Sequence, residues 1–226
     1  MLFDALGTLV RLEPPWPVLR DLLSSRHGIE VTLEQAQEAM RTEIAYYLEH
    51  HMEGRDADSL AELRARCAEV LGQALPDTGL DRRQLTDVLL DALRFVPFPD
   101  AAPVLGALRA GGIHTAVVSN WDCSLGEVLA GLGLGGLLDA VLTSAEAGAR
   151  KPDPRIFRMA LERTRVPAER AILVGDSLDV DVAGGQAAGI RSLLLDRYAS
   201  GAEIGDVERI STLDNLPTLV AGSPIV

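Results

Sequence analysis

Five places in this 226-residue chain hold side chains whose types and spacing could serve one chemistry: Asp4, Ser119-Asn120, Lys151, Asp176 and Asp181. Asp4 ends a short apolar run and is followed by the turn residues Gly7 and Thr8. Ser119-Asn120 ends the run Ile113 to Val118, and Gly175-Asp176-Ser177 ends the run Ala171 to Val174. Buried strands that finish in polar residues deliver those residues to the carboxyl edge of a parallel sheet, where ligands of such sheets bind. Two strand-end carboxylates, Asp4 and Asp176, suit a hard cation with oxygen ligands, most simply Mg²⁺. The Ser119 hydroxyl can donate to an anionic oxygen, and Lys151 adds a point charge. A carboxylate such as Asp4 can act as a nucleophile, forming an aspartyl-phosphate and splitting one hard displacement into two.

The elements that must position these groups are legible in the pattern. From Pro97 onward, strand and helix signals alternate, which predicts a parallel sheet with helices on both faces. Asp153 followed by Pro154 predicts a helix start just after Lys151, and Ile190 to Leu195 is the last clear strand, leaving an irregular tail after Tyr198. Between Pro14 and about Phe95 the spacing is helical. Prolines 14, 15 and 17 open one helix there, and Thr32 with Gln35 forms a capping box for the next. Asp58 or Ser59 is expected to cap a third, and Leu85, Val88, Leu89 and Leu93 mark a fourth. The expected fold is therefore α/β, a Rossmann-like core of residues 1–13 and 96–226 interrupted by an all-helical subdomain at 14–95. Only three residues precede Asp4, fewer than the about 5–6 of an ordinary strand, so a few native residues are expected ahead of Met1.

Composition excludes several classes. Apolar residues make up 47% of the chain and the formal net charge is −12. A chain this acidic lacks the footprint for nucleic-acid phosphates or anionic lipid, so positive charge for a small anion must come locally, from Lys151 and a metal. No run reaches the roughly 18 apolar residues of a membrane span. Two cysteines, Cys67 and Cys123, are too few for a disulfide scaffold and fit a reducing cytoplasm.

Taken in order, the motifs resemble those of the haloacid dehalogenase-like hydrolases. Phe3-Asp4-Ala5-Leu6-Gly7-Thr8-Leu9 is similar to the family's first motif, and Val117-Val118-Ser119-Asn120 to its second. Lys151-Pro152-Asp153 is similar to the third, and Gly175-Asp176-Ser177-Leu178-Asp179-Val180-Asp181 to the fourth. The resemblance runs from Leu2 to about Arg197 and makes the helical stretch a cap inserted after the first motif. It implies that Asp4 is the nucleophile and that Asp4, Asp176 and the backbone carbonyl of Leu6 hold Mg²⁺. Asp181 would be a ligand or an orienting group, and Ser119, Asn120 and Lys151 would hold the phosphate. One departure stands out: family phosphatases carry an acid–base aspartate two residues after the nucleophile, where this chain has Leu6. Loss of such a group typically costs about 10²–10⁴-fold.

The family's 2-haloacid dehalogenases also lack that acid. Arg41, ahead of Tyr46 and Tyr47, is similar to their halide-side arginine, but they replace the metal-binding aspartate that Asp176 represents here. The first expectation is thus a Mg²⁺-dependent phosphoester hydrolase of a small metabolite. The alternatives are a haloacid dehalogenase and a catalytically weakened member that binds a ligand. Small phosphorylated metabolites or haloacids are the expected substrates, and a monomer or homodimer the expected state.

Overall fold

The computed structural model describes residues 1–198 and 207–221. Its contacts divide the chain into two compact units, Met1–Arg11 with Pro97–Val226 and Leu12–Val96.

The first unit is built on a six-stranded sheet of order β5-β4-β1-β6-β7-β8, in which each recorded strand pairing is parallel. Its strands are β1 (Leu2–Phe3), β4 (Ala116–Ser119), β5 (Ala140–Thr143), β6 (Ile172–Gly175), β7 (Arg191–Leu195) and β8 (Arg209–Ile210). Helices α5 (Ala101–Ala110), α6 (Leu125–Gly131), α7 (Ser144–Ala147), α8 (Pro154–Thr164), α9 (Ala183–Ala187) and α10 (Leu216–Ala221) connect and flank them. Strand β1 lies between β4 and β6, with Phe3 opposite Val117 on one side and Val174 on the other. Phe3, Val117, Val118, Leu173 and Val174 are fully buried, as expected for a parallel sheet covered on both faces. A side chain of that size contributes about 1.5–3 kcal/mol when withdrawn from water.

The second unit carries α1 (Pro15–His27), α2 (Leu33–His50), α3 (Ala57–Ala74) and α4 (Arg82–Ala92). Leu19, Leu23, Met40, Leu63, Leu71 and Leu89 form its core. The Thr32 capping box is present, the Thr32 hydroxyl accepting from Gln35 N while the Gln35 side chain accepts from Thr32 N. Helix α3 starts earlier than expected. Its cap is Asp56, whose carboxylate accepts from Ser59 N while the Ser59 hydroxyl accepts from Asp56 N. Ser59 is the third residue of that helix and the partner of the cap, which explains why it looked like the cap itself.

Two strands escaped the sequence pattern: β2 (Val10–Leu12) and β3 (Phe95–Pro97) pair as a two-stranded sheet where the chain leaves and re-enters the first unit. Each is too short to show a period of two. The strand expected over Ile113 to Val118 runs instead from Ala116 to Ser119. Ile113 N still closes the end of α5 on Leu108 O, and Thr115 is tied by its N–H to Asp139 and by its hydroxyl to Leu137 O. The tail is more regular than expected: β8 adds the sixth strand, and α10 follows it. Leu194 N and Asp196 N donate to Glu208 O and Ile210 O, pairings between distant segments that local sequence does not announce. The rest of that tail, residues 199–206 and 222–226, lies outside the described residues. Among the described residues, no helix is long and apolar enough to cross a membrane.

Candidate active site

Because β4, β1 and β6 are neighbours in register, their carboxyl ends bring Ser119, Asp4 and Asp176 to one edge of the sheet. Asp4 N donates to Val174 O at 2.9 Å, so the residue leaves β1 still fastened to β6. Beyond it the chain folds into a tight knot. Ala5 O accepts from the N–H groups of Thr8, Leu9 and Val10, and Gly7 N donates to Val10 O. Gly7 adopts φ +87°, which favours glycine in the turn, and a Cβ there would overlap the Asp176 carboxylate unless that side chain shifted.

The Asp4 side chain is 8% exposed. Its Oδ1 accepts from Ser119 Oγ at 2.9 Å and from Lys151 Nζ at 2.5 Å. Both bonds fall on Oδ1, and among the described residues Oδ2 has no donor. That asymmetry orients a carboxylate by one oxygen and leaves the other available as a nucleophile or ligand.

Lys151 is buried and fixed at both ends. Its ammonium also donates to Asp181 Oδ1 at 2.5 Å. Its backbone is held by Asn120, whose Oδ1 accepts from Lys151 N at 2.8 Å and whose Nδ2 donates to Lys151 O at 3.0 Å. Asn120 therefore spends both ends of its amide on placing Lys151. Asp153 then caps α8, its carboxylate accepting from Arg155 N with Pro154 at the first helical position. Desolvation alone would lower the Lys151 ammonium, but the charges of Asp4 and Asp181 outweigh it and hold the group above its ordinary value.

Asp181 follows β6 on a π-helical turn, Leu178–Val182, and is almost fully buried. Its Oδ2 accepts from Ser177 N at 3.1 Å, and its Oδ1 from Lys151. Both oxygens are thus engaged. Desolvation, then the Asp4 charge, pushes its carboxyl up against the pull of the lysine. Asp176 is different. It opens to solvent at its outer edge, yet enough protein surrounds the carboxyl to desolvate it in part. That desolvation, with the charges of Asp4 and Asp181 added, raises it to about 6.

Oxygen atoms of Asp4, Asp176 and Asp181 lie within 4.8 Å of one another. Three carboxylates face one ammonium, so the cluster is short of positive charge, and its donors are all hard oxygens. Both properties fit a divalent cation such as Mg²⁺. Asp176, which has no ion pair among the described residues, and the open Oδ2 of Asp4 are the donors best placed for it.

Leu6 is 40% exposed and offers no proton. Arg41 lies on α2 of the second unit, exposed and paired with Glu38. His50 stacks on Tyr46, and His114 pairs with Asp139 at the opposite end of β4. Asp122 caps a turn, accepting from Ser124 N at 2.8 Å.

The sequence reading missed Arg197. Its guanidinium forms a two-pronged pair with Asp100 at 2.8 and 2.9 Å and donates to Thr8 O at 2.7 Å. No local motif marks it; the only signal is a lone arginine just after the last clear strand.

The fold and this edge of charged groups define a class. A family model for haloacid dehalogenase-like hydrolases matches residues 1–189, and the chain belongs to that family of hydrolases. It is 30% identical over 227 residues to (S)-2-haloacid dehalogenase 1 of Pseudomonas sp. strain CBS-3, covering 96% of this chain and 94% of that one. It is 39% identical over 117 residues to phosphoserine phosphatase of Thermus thermophilus, 51% of this chain and 47% of the relative. The chain spans about half or less of the first curated relatives it matches. Among solved structures, a phosphatase of the family from Thermococcus onnurineus superposes with a TM-score of 0.66 at 26% identity, covering 99% of this chain and 98% of that one.

Proposed function

We propose that this hydrolase cleaves phosphoesters of small metabolites, with Asp4 as nucleophile and Mg²⁺ as cofactor. The observation that carries the reading is the Asp176 carboxylate, without an ion pair among the described residues, beside an Asp4 that presents one open oxygen. Asp4 Oδ2 attacks phosphorus, the bond from phosphorus to the ester oxygen breaks, and the electron pair leaves with the alcohol oxygen. Water then attacks the phosphorus of the aspartyl-phosphate, releasing inorganic phosphate and restoring the carboxylate. Ser119 and Lys151 orient Asp4 and offer donors to the phosphoryl oxygens, while Asp181 and Asn120 hold Lys151 in place. Asp4, Asp176 and the carbonyl of Leu6 would hold Mg²⁺, which neutralises phosphoryl charge when bound.

Leu6 cannot protonate the leaving oxygen or deprotonate the water. Good leaving groups, such as aryl or acyl phosphates, are therefore expected to turn over best. The helical unit would act as a cap that governs access, which places substrate choice among its residues.

Dehalogenation is the second reading. The non-acidic Leu6 and the near full-length similarity to a 2-haloacid dehalogenase favour it. There Asp4 would attack carbon, the carbon–halogen bond would break, and halide would leave without a proton. Asp176 weighs against it, since a metal-free displacement on carbon has no use for a further carboxylate beside the nucleophile.

One plate tests both readings: phosphate release from p-nitrophenyl phosphate and acetyl phosphate with and without Mg²⁺, and halide release from 2-chloropropionate. Mg²⁺-dependent phosphate release, absent in Asp4→Asn and raised at least about tenfold in Leu6→Asp, supports the phosphatase. Metal-independent halide release without phosphate would overturn it. Activity confined to Leu6→Asp would point to a weakened member kept for binding.

A further inference from the structure

We propose that Arg197 is a positioning residue that locks the nucleophile loop to the root of both chain connections leaving the sheet unit. The Arg197–Thr8 bond closes the knot that begins at Asp4, since Thr8 is four residues beyond the nucleophile and its carbonyl is the acceptor. Thr8 and Leu9 lead directly into β2, the outgoing connection, while Phe98 and Asp100 follow β3, the returning one. Arg197 grips all of this from one point. It takes Thr8 O with Nη2, pairs in two-pronged fashion with Asp100, and stacks its guanidinium 3.9 Å from the centre of the Phe98 ring. Phe98 N in turn donates to Leu9 O at 2.9 Å, so the two roots are also fastened to each other.

The grip is well supported behind Arg197. Asp100 Oδ2 accepts from the Thr212 hydroxyl and from Leu213 N, both at 3.0 Å. Burial alone would raise the Asp100 carboxyl, but these donors and Arg197 hold it below the usual range, so it stays an anion for the guanidinium. Both side chains are about nine-tenths buried, which lifts the pair above the small worth of an exposed ion pair. A planar fork suits this place because one group must meet a carboxylate edge-on, a ring face-on and a carbonyl at its tip. Loops that must hold a reacting atom to a fraction of an ångström need such support.

The kinetic side of this inference rests on Asp4 being the nucleophile; the mechanical side does not. The experiment compares Arg197→Ala, Arg197→Lys and, as a control, Arg191→Ala in the full chain; Arg191 is an exposed arginine with its own two-pronged pair to Glu208 and no part in the grip. Amide exchange at Thr8, Leu9 and Val10 is read against the β6 amides, because all three loop amides are hydrogen-bonded to Ala5 O. In Arg197→Ala, loop exchange should rise at least about tenfold while β6 stays protected. With p-nitrophenyl phosphate, kcat should fall about tenfold with KM within about twofold. Arg197→Lys, which keeps a charged donor, should recover part of both, and Arg191→Ala should change neither. Loop exchange equal to wild type in Arg197→Ala, loosening shared equally with β6, or the same effect in Arg191→Ala would each overturn the proposal. Should the alanine variant fail to fold, Arg197→Gln carries the same comparison. A wild type without phosphatase activity would remove the phosphoester reading and leave the exchange result to decide the role of Arg197.

Discussion

Gly7 and Asp176, 169 residues apart by their numbers, touch so closely that a single methyl group on Gly7 would overlap the Asp176 carboxylate. The contact joins the loop after Asp4, the proposed nucleophile, to the strand end that supplies the second candidate metal ligand. Gly7→Ala places a β-carbon into that carboxylate and forces a side chain onto φ +87°, a conformation that costs an L-residue about 1–2 kcal/mol by itself. Chemical denaturation should show a loss of at least that size. Mg²⁺-dependent turnover should fall at least about tenfold, because Asp176 must move. An alanine variant of wild-type stability and activity would show that the two segments do not meet.

The ammonium of Lys151 is the only positive charge recorded against three clustered carboxylates among the described residues. Lys151→Met should therefore cost about 3–5 kcal/mol at pH 7, the usual range when one partner of a buried pair is removed. The loss should shrink as the pH falls and the stranded carboxylates take up protons. Combining Lys151→Met with Asp181→Asn should recover part of the loss, since one buried charge goes with the other. Additive losses in urea unfolding would contradict the coupling.

Glu43 gives the helical unit a pH-dependent stability. It is 3% exposed on α2. Burial raises its carboxyl to about 7, with the Cys67 thiol pulling weakly the other way. The unfolded chain ionises this group near 4.5, the folded chain only near 7. Stability from the neutral acid is therefore complete below about 4.5 and is lost as the pH climbs through 7. The span corresponds to about 3 kcal/mol at most. Glu43→Gln, neutral at every pH, should flatten the curve between pH 5 and 8 and be the more stable protein at pH 8. Unfolding midpoints of the two proteins that run parallel across that range would refute the assignment.

Thr8 is fully buried, and among the described residues its hydroxyl has no hydrogen-bond partner. An orphaned hydroxyl costs about 1–3 kcal/mol. Thr8→Val keeps the shape, and the Thr8 carbonyl that Arg197 uses is unchanged. It should raise stability by about 1 kcal/mol, read as a higher urea midpoint at constant slope. A loss of similar size would mean that the hydroxyl is satisfied.

The sequence by itself determined which strand ends carry the candidate residues and that they stand on one edge of a parallel sheet. Asp4, Ser119 and Gly175-Asp176 each close an apolar run, and neighbouring parallel strands bring such ends to one edge. Helix starts with local chemistry, such as Thr32 with Gln35 or Asp153 with Pro154, were equally legible because cap and partner lie within a few residues. Tertiary structure decided how the residues divide the work. Only the fold shows that an oxygen of Asp181 and both ends of the Asn120 amide bond to Lys151, while the other Asp181 oxygen accepts from Ser177 N. Arg197 has no motif at all: its meaning depends on Thr8 and Asp100, 189 and 97 residues away. The short strands β2, β3 and β8 were hidden for the same reason. A strand of two or three residues carries no periodicity of its own and exists only because a partner strand is there to accept its hydrogen bonds.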